Sequence, residues 1–230
     1  METRHKAARM RKLIAEHMVK SWQTSPKCDY LMQVEADALI AFRKNFNAQA
    51  DQKLTYLHLV MKAAAIALQA FPLVNSSYDF EAHEHILKDQ INIGFALPVE
   101  NGLMVLNVKN VDQLALGQIA KETTRLLDAS EKKALSLDDM TGGSLTINNM
   151  GPYTRLIQHT AIIYQPELAI LSMYRIQETA LVKNGQIRIC QTMNLMLSAD
   201  HRVIDGKLAC EFLARIVELL ENPDQLIKGD

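Results

Sequence analysis

His201, Asp205 and Gly206 lie in the run His-Arg-Val-Ile-Asp-Gly at 201–206, the form H-x-x-x-D-G, where a strand pattern gives way to a helix pattern. An imidazole titrates near pH ~6.5, so a histidine at such a break can serve as a general base at neutral pH. The carboxylate that follows it has a plainer use. From Gly206 onward, Leu208, Phe212, Leu213, Ile216, Leu219 and Leu220 repeat at helical spacing, which predicts an amphipathic helix over 206–221. Asp205 is then its N-cap, a short side chain able to accept orphan first-turn N–H groups. Asn222-Pro223 ends the helix. His201 is the candidate base, and Asp205 is read as structural.

The elements that must position these residues follow from periodicity. Met10, Leu13, Ile14, Met18 and Trp22 share one helical face and predict a helix over 8–23, ended near Ser25-Pro26. A strand is predicted over 28–35. Asp37 is expected to cap a second helix to about residue 48, and Thr55 a third, which ends at Phe71-Pro72. Short strands are expected around 86–88, 91–97 and 103–109, with turn chemistry in Glu100-Asn101-Gly102. A long helix over 112–134 follows, then strands at 143–148, 167–174, 179–183 and 187–198, with Asn184-Gly185 as a hairpin turn. No Gly, Pro or Ser-rich linker divides the chain. The fold class is α/β: two layers, with helices covering one face of a mixed, largely antiparallel sheet.

Composition narrows the function classes. The 230 residues are 48% hydrophobic with a formal net charge of −1, which argues against disorder and against a polyanion partner such as nucleic acid. Cys28, Cys190 and Cys210 are widely separated, so they read as free thiols in a reducing cytoplasm rather than as a metal site. No run of about 18 apolar residues is present to span a membrane. Arg4, Lys6, Arg9, Arg11, Lys12 and Lys20 outnumber Glu2 and Glu16 at the start of the chain. They read as a solvated helix face, with contact to a phosphate-bearing cofactor or an acidic partner as the alternative.

Five further segments, taken in order with the first helix and the last, carry a resemblance. They are Phe71-Pro-Leu-Val-Asn-Ser76, the run from Ile91-Asn-Ile-Gly to Asn101-Gly-Leu103, Asp138-Asp-Met-Thr-Gly-Gly-Ser-Leu-Thr-Ile147, Gln165-Pro-Glu-Leu-Ala-Ile-Leu171 and Asp200-His-Arg-Val-Ile-Asp-Gly206. Together they resemble the catalytic core of the dihydrolipoyl acyltransferase (E2) components of 2-oxo acid dehydrogenase complexes. That family is related to the chloramphenicol acetyltransferases. The resemblance covers essentially the whole chain and implies a single acyltransferase domain over 1–230, with 1–7 as a linker remnant or arm. It also implies transfer of an acyl group between a dihydrolipoyl thioester and coenzyme A. The expected assembly is a homotrimer with active sites at subunit interfaces, able to build a larger cubic-type core with other dehydrogenase-complex enzymes. No metal is implied, and no coenzyme A-binding residue can be named from the sequence. Full-length members carry lipoyl and subunit-binding domains that are not read here. The expectation is an excised core or a stand-alone product, its lipoyl groups supplied by another domain or protein.

By this resemblance His201 holds the position of the general base. A thiol of pKa about 8.5 is only a few per cent ionised at pH 7, and the thiolate is the nucleophile, so a base that takes the proton during attack on the thioester has a clear use. Asp205 would pair with an arginine, Arg9 or Arg11 being the candidates. The oxyanion donor of the family is a Ser or Thr directly after Thr-Ile, and here that position is Asn148. An asparagine amide can donate to an oxyanion, and one such donor is worth about 10²–10³ in rate. Asn149, Ser144 and Thr146 are nearby alternatives, while strand alternation sends Thr146 and Asn148 to one face. Other departures are Ala199, Val105-Leu106 and Ala161-Ile-Ile-Tyr164. His159 beside that last tract is read as a surface or channel residue rather than a second base. Two other readings stay open: a structural core with weakened chemistry, and a coenzyme A-dependent acetyltransferase acting on a small hydroxyl compound.

Overall fold

The computed structural model describes residues 2–99 and 102–227. Helix α1 (Arg9–Thr24) leads into strand β1 (Lys27–Glu35), followed by α2 (Asp37–Gln49) and α3 (Tyr56–Ala70). A small hairpin, β2 (Ser76–Asp79) and β3 (Glu84–Leu87), stands apart from the main sheet. Then come β4 (Ile93–Val99), β5 (Gly102–Val108), α4 (Leu116–Glu131), β6 (Leu145–Asn149), β7 (Ala169–Lys183), β8 (Gln186–Asp200) and α5 (Gly206–Glu221). The main sheet has the order β1-β8-β7-β6-β4-β5. Only β6 runs parallel to its neighbours; every other pairing is antiparallel.

Alternation along the central strands divides the sheet into two faces of different character. Leu145 and Ile147 of β6, Leu171 of β7, and Leu195 and Leu197 of β8 are fully buried toward α3 and α5. Ala63, Ala64 and Ala67 of α3 let that helix approach closely, while Phe212, Leu213 and Ile216 of α5 fill the layer between. Phe71 and Phe212 meet edge to face at 5.8 Å. The opposite face carries Thr146 and Asn148, Ile170, Ser172 and Tyr174, and Met196 and Ser198. It is roofed by the irregular 150–168 stretch, whose Ala161 and Ile163 cluster on Ile170.

Several expectations hold and several are corrected. Asp205 caps α5, its Oδ1 accepting from the Leu208 N–H at 2.9 Å. Asn184 and Gly185 turn β7 into β8 with both φ angles positive, as a type I′ turn requires. The predicted strands 167–174 and 179–183 are one strand, irregular between Met173 and Ile176, because the polar Gln177 and Glu178 continue the ladder. The helix predicted over 112–134 divides into a short 3₁₀ turn at Val111–Gln113 and α4. Lys62 of α3 draws the carbonyls of Asp112 and Leu114 to its ammonium, and Gln118 caps the Ala115 N–H at 2.8 Å, so the helix restarts there. Asp37 is not the cap of α2. Ala36 holds that place because its N–H still pairs with Gln191 O at 2.8 Å as an extension of β1. The β2 strand is not among the predicted elements. Of the predicted turn at 100–102, Glu100 and Asn101 lie outside the described residues. Helix α1 forms as expected, yet its Leu13 and Trp22 are 57% and 59% exposed, and Ser21 is its one buried residue.

Candidate active site

The base candidate sits on a rigid platform. Asp200, the last residue of β8, is 1% exposed and receives Arg202 in a fork: Nη2 to Oδ2 at 2.7 Å and Nε to Oδ1 at 3.0 Å. The Arg202 N–H also reaches Oδ1 at 3.1 Å, and the N–H groups of Val203 and Ile204 close on Asp200 O. Fork-to-fork pairing of a guanidinium with a carboxylate fixes direction as well as distance. Between these anchors, His201 donates its backbone N–H to Pro26 O at 2.9 Å. Its side chain is exposed and makes no hydrogen bond among the described residues. A free imidazole held by an immobile backbone suits proton transfer to an incoming substrate.

Asp205 is not paired with an arginine. Among the described residues neither Arg9 nor Arg11 bonds to it, and its carboxylate is spent on the α5 cap. The arginine fork of this segment belongs to Asp200 instead.

Asn148 occupies the penultimate position of β6, pairing with Ser172 of β7, which in turn pairs with Met196 of β8. It points to the same face as Thr146, as strand alternation predicts. His201 is far from it within one chain. Asp200 lies four rungs beyond Met196, roughly 13 Å along β8 at ~3.3 Å per residue, and two strands across from β6. One chain therefore does not bring the two candidates together.

What Asn148 does touch is His159. Its Nδ2 lies 3.1 Å from His159 Nε2, and His159 Nδ1 lies 3.0 Å from the Tyr174 hydroxyl. That hydroxyl also accepts the His159 N–H at 2.9 Å and donates to His159 O at 3.2 Å. Burial is the largest influence on His159 and holds its pKa below the ordinary imidazole value. Asp29 pulls it up, Lys27 pushes it down, and burial prevails. Asp29 itself accepts from Ser198 Oγ and from Thr160 Oγ1, the latter at 2.7 Å. His159, read as a surface or channel residue rather than a second base, is half-buried and has both ring nitrogens engaged. Its bond to Asn148 was not foreseen, because a loop position has no periodicity to reveal its neighbours. Tyr174 was missed too, although alternation from Ser172 places it on the same face.

A second buried group lies behind Asn148. Glu167 is 3% exposed, accepts from Thr146 Oγ1 at 3.0 Å, and has no hydrogen-bond partner for Oε2 among the described residues. Burial raises its pKa to about 7 against the opposing pulls of the Thr146 hydroxyl and Lys88. Gly143 passes so close that a Cβ there would collide with Glu167 Oε1 and Asn107 Oδ1. Glu167 also lines a cleft of about 740 Å³ with Lys20, Tyr78, Phe80, Asp200 and Arg202. Lys20 and Arg202 are balanced there by Asp79, Glu81 and Asp200, so the cleft is not a strong anion seat.

The mixed sheet with helices on one face is the fold of the chloramphenicol acetyltransferases, one of which superposes with a TM-score of 0.56 at 14% identity. The chain matches the family described as 2-oxoacid dehydrogenases acyltransferase (catalytic domain) over residues 1–228, and it belongs to that family. The dihydrolipoyllysine-residue acetyltransferase component of the pyruvate dehydrogenase complex from Bacillus subtilis is 40% identical over 234 residues, 98% of this chain and 52% of that protein. The Acholeplasma laidlawii counterpart is 36% identical over 96% of this chain and 41% of its own length. The chain thus spans about half the length of the curated relatives it matches. A solved structure of Azotobacter vinelandii dihydrolipoamide acetyltransferase (E2p) superposes with a TM-score of 0.92 at 31% identity, over 98% of this chain and 94% of that one. That structure belongs to a study of the role of a serine, a histidine and an asparagine in the catalytic mechanism of the Azotobacter enzyme.

Proposed function

We propose that this chain is the acyltransferase core of a 2-oxoacid dehydrogenase complex, moving an acyl group between a dihydrolipoyl thioester and coenzyme A. The observation that carries the reading is the exposed His201 ring, without a hydrogen bond among the described residues, on the Asp200–Arg202 platform in a chain of this family. His201 takes the proton of the acceptor thiol as its sulfur bonds to the thioester carbonyl carbon. The carbonyl oxygen becomes an oxyanion, for which Asn148 of a neighbouring copy donates an amide N–H. Collapse breaks the original C–S bond, and the departing sulfur recovers a proton from the imidazolium. No acyl-enzyme forms.

The assembly we infer is a homotrimer. The separation of His201 from Asn148 within one chain calls for a second copy, and the exposed apolar side chains of α1 offer a surface to meet it. A relative of similar fold is the cubic core of the pyruvate dehydrogenase multienzyme complex, at TM-score 0.92 and 31% identity, which supports growth of such trimers into a larger core. The lipoyl group would come from another domain or protein. Three free cysteines fit a reducing cytoplasm.

The test is acyl transfer from acetyl-CoA to dihydrolipoamide. His201→Ala is expected to lower kcat by about 10²–10⁴. Equal rates in the two proteins overturn the assignment of the base. Activity on alcohols with none on dithiols would instead favour a small-molecule O-acetyltransferase. Intact oligomers that bind no coenzyme A would favour a purely structural core.

A further inference from the structure

Among the described residues, His159 is the side chain that hydrogen-bonds to Asn148, and it is itself bonded on every side. We propose that His159, braced by Tyr174, is a positioning residue that selects the nitrogen end of the Asn148 carboxamide as oxyanion donor. The proposal rests on the oxyanion role given to Asn148 above.

The need for such a residue follows from the chemistry of an amide. A hydroxyl can turn its hydrogen toward an oxyanion by rotating one bond. A carboxamide has two ends of opposite sense, and Oδ1 presented to an oxyanion repels it. Something must decide which end faces the substrate. A neutral imidazole with Nε2 unprotonated does so, because it accepts from Nδ2 and not from Oδ1. One proton arrangement satisfies all four bonds around it. Asn148 Nδ2 donates to Nε2 (3.1 Å), Nδ1–H donates to the Tyr174 hydroxyl (3.0 Å), the His159 N–H donates to the same oxygen (2.9 Å), and that hydroxyl donates to His159 O (3.2 Å). The other tautomer would spend the hydroxyl hydrogen on Nδ1 and leave the carbonyl of His159 without it. The favoured arrangement engages one N–H of the Asn148 amide and leaves the second for the substrate.

Protonation of His159 would undo this, since Nε2–H is then a donor and the amide must turn its oxygen toward the ring. The groups facing His159 are Asn148 on β6, the uncharged Tyr174 on β7, and Asp29 and Lys27 on β1. Asp29 favours the imidazolium, while Lys27 and burial oppose it. The neutral form therefore persists to lower pH than for a free imidazole, and positioning is lost in acid.

Acetyl transfer to dihydrolipoamide is to be measured for His159→Leu, His159→Gln, Asn148→Ala and the Leu/Ala double variant, as kcat and as KM for both substrates. Asn148→Ala is expected to lower kcat by about 10²–10³. His159→Leu is expected to lower it by about 10–10², with little change in KM, as for a small misplacement of a reacting group. On the Asn148→Ala background the same change is expected to add nothing, because His159 then has no amide to direct. The Gln carboxamide oxygen can accept from Nδ2 without titrating. His159→Gln should recover most of kcat and lose one ionisation from the acid limb of the pH profile. An equal loss in both backgrounds, an unchanged kcat in His159→Leu, or an identical acid limb in His159→Gln overturns the proposal. If Asn148→Ala keeps full kcat, the oxyanion role itself fails and the positioning role with it; the other refutations leave Asn148→Ala impaired.

Discussion

Glu167→Gln tests the electrostatics of the layer behind the site. The wild-type carboxyl is 3% exposed, its Oε1 accepting from Thr146 Oγ1 and its Oε2 without a partner among the described residues. Its pKa stands at about 7 against an ordinary 4.5, and burial is the dominant cause. Between those two values the folded chain holds a proton that the unfolded chain has released. Its contribution to stability is therefore fully present below pH 4.5, is lost as pH rises toward 7, and levels off above. At ~1.4 kcal/mol per tenfold change in acidity, the full excursion is worth roughly 3 kcal/mol. A glutamine keeps an acceptor for Thr146 and never ionises. It also brings amide donors toward Asn107 Oδ1, which has no partner among the described residues. The charge attraction between Glu167 and Lys88 is already contained in that pKa, so the expected gain at pH 8 is the excursion itself, roughly 3 kcal/mol. At pH 5, where the wild-type group is mostly protonated, most of that gain is expected to vanish. The assay is urea denaturation of both proteins at pH 5 and pH 8, at one protein concentration so that any assembly contributes equally. Ionisations common to both proteins cancel in the difference. A difference that stays constant between the two pH values refutes the reasoning.

Two further substitutions separate framework from chemistry. Asp205→Ala should cost about 1 kcal/mol in urea denaturation through loss of the α5 cap, while Asp205→Asn, which can still cap, should keep both stability and kcat. Phe212→Ala removes a fully buried ring stacked edge to face on Phe71 and should cost about 3–5 kcal/mol, read as a lower urea midpoint by circular dichroism.

How much was legible in the sequence depends on where each determinant lies along the chain. Helix α5 carries its periodicity, its cap and its stop within 205–223, and it was read to the residue. The Asn184-Gly185 turn is equally local. The break before α4 was hidden because Lys62, on another helix, draws the carbonyls of Asp112 and Leu114. The apolar spacing of α1 predicted a helix correctly but could not say what covers it, and within one chain Leu13 and Trp22 stay exposed. The site divides the same way. His201 is a candidate through its motif and Asn148 through the resemblance that places it after Thr-Ile, whereas the His159–Tyr174 pair depends on how a structureless loop folds back over the sheet. The expected pairing of Asp205 with Arg9 or Arg11 is not made within one chain, while Asp200, one residue before the motif, holds the Arg202 fork. Asp200 and Asp205 flank the same turn, and only burial tells the clamp from the cap.

The sheet explains why a change of donor chemistry can leave the fold intact. On β6, Leu145 and Ile147 are fully buried against the helices, while Thr146 and Asn148 face the opposite layer. Packing on one side is therefore indifferent to whether position 148 carries a hydroxyl or a carboxamide. The polar side is not indifferent, because a carboxamide needs a partner that fixes which end is presented, and a hydroxyl does not. On the proposed oxyanion role for Asn148, the site reaches through His159 to Tyr174, which a serine would not require, and it gains sensitivity to a second ionisation. An asparagine at position 148 adds His159 and Tyr174 to the contacts of that position, and His159→Leu measured with and without Asn148 reports whether the enzyme relies on them.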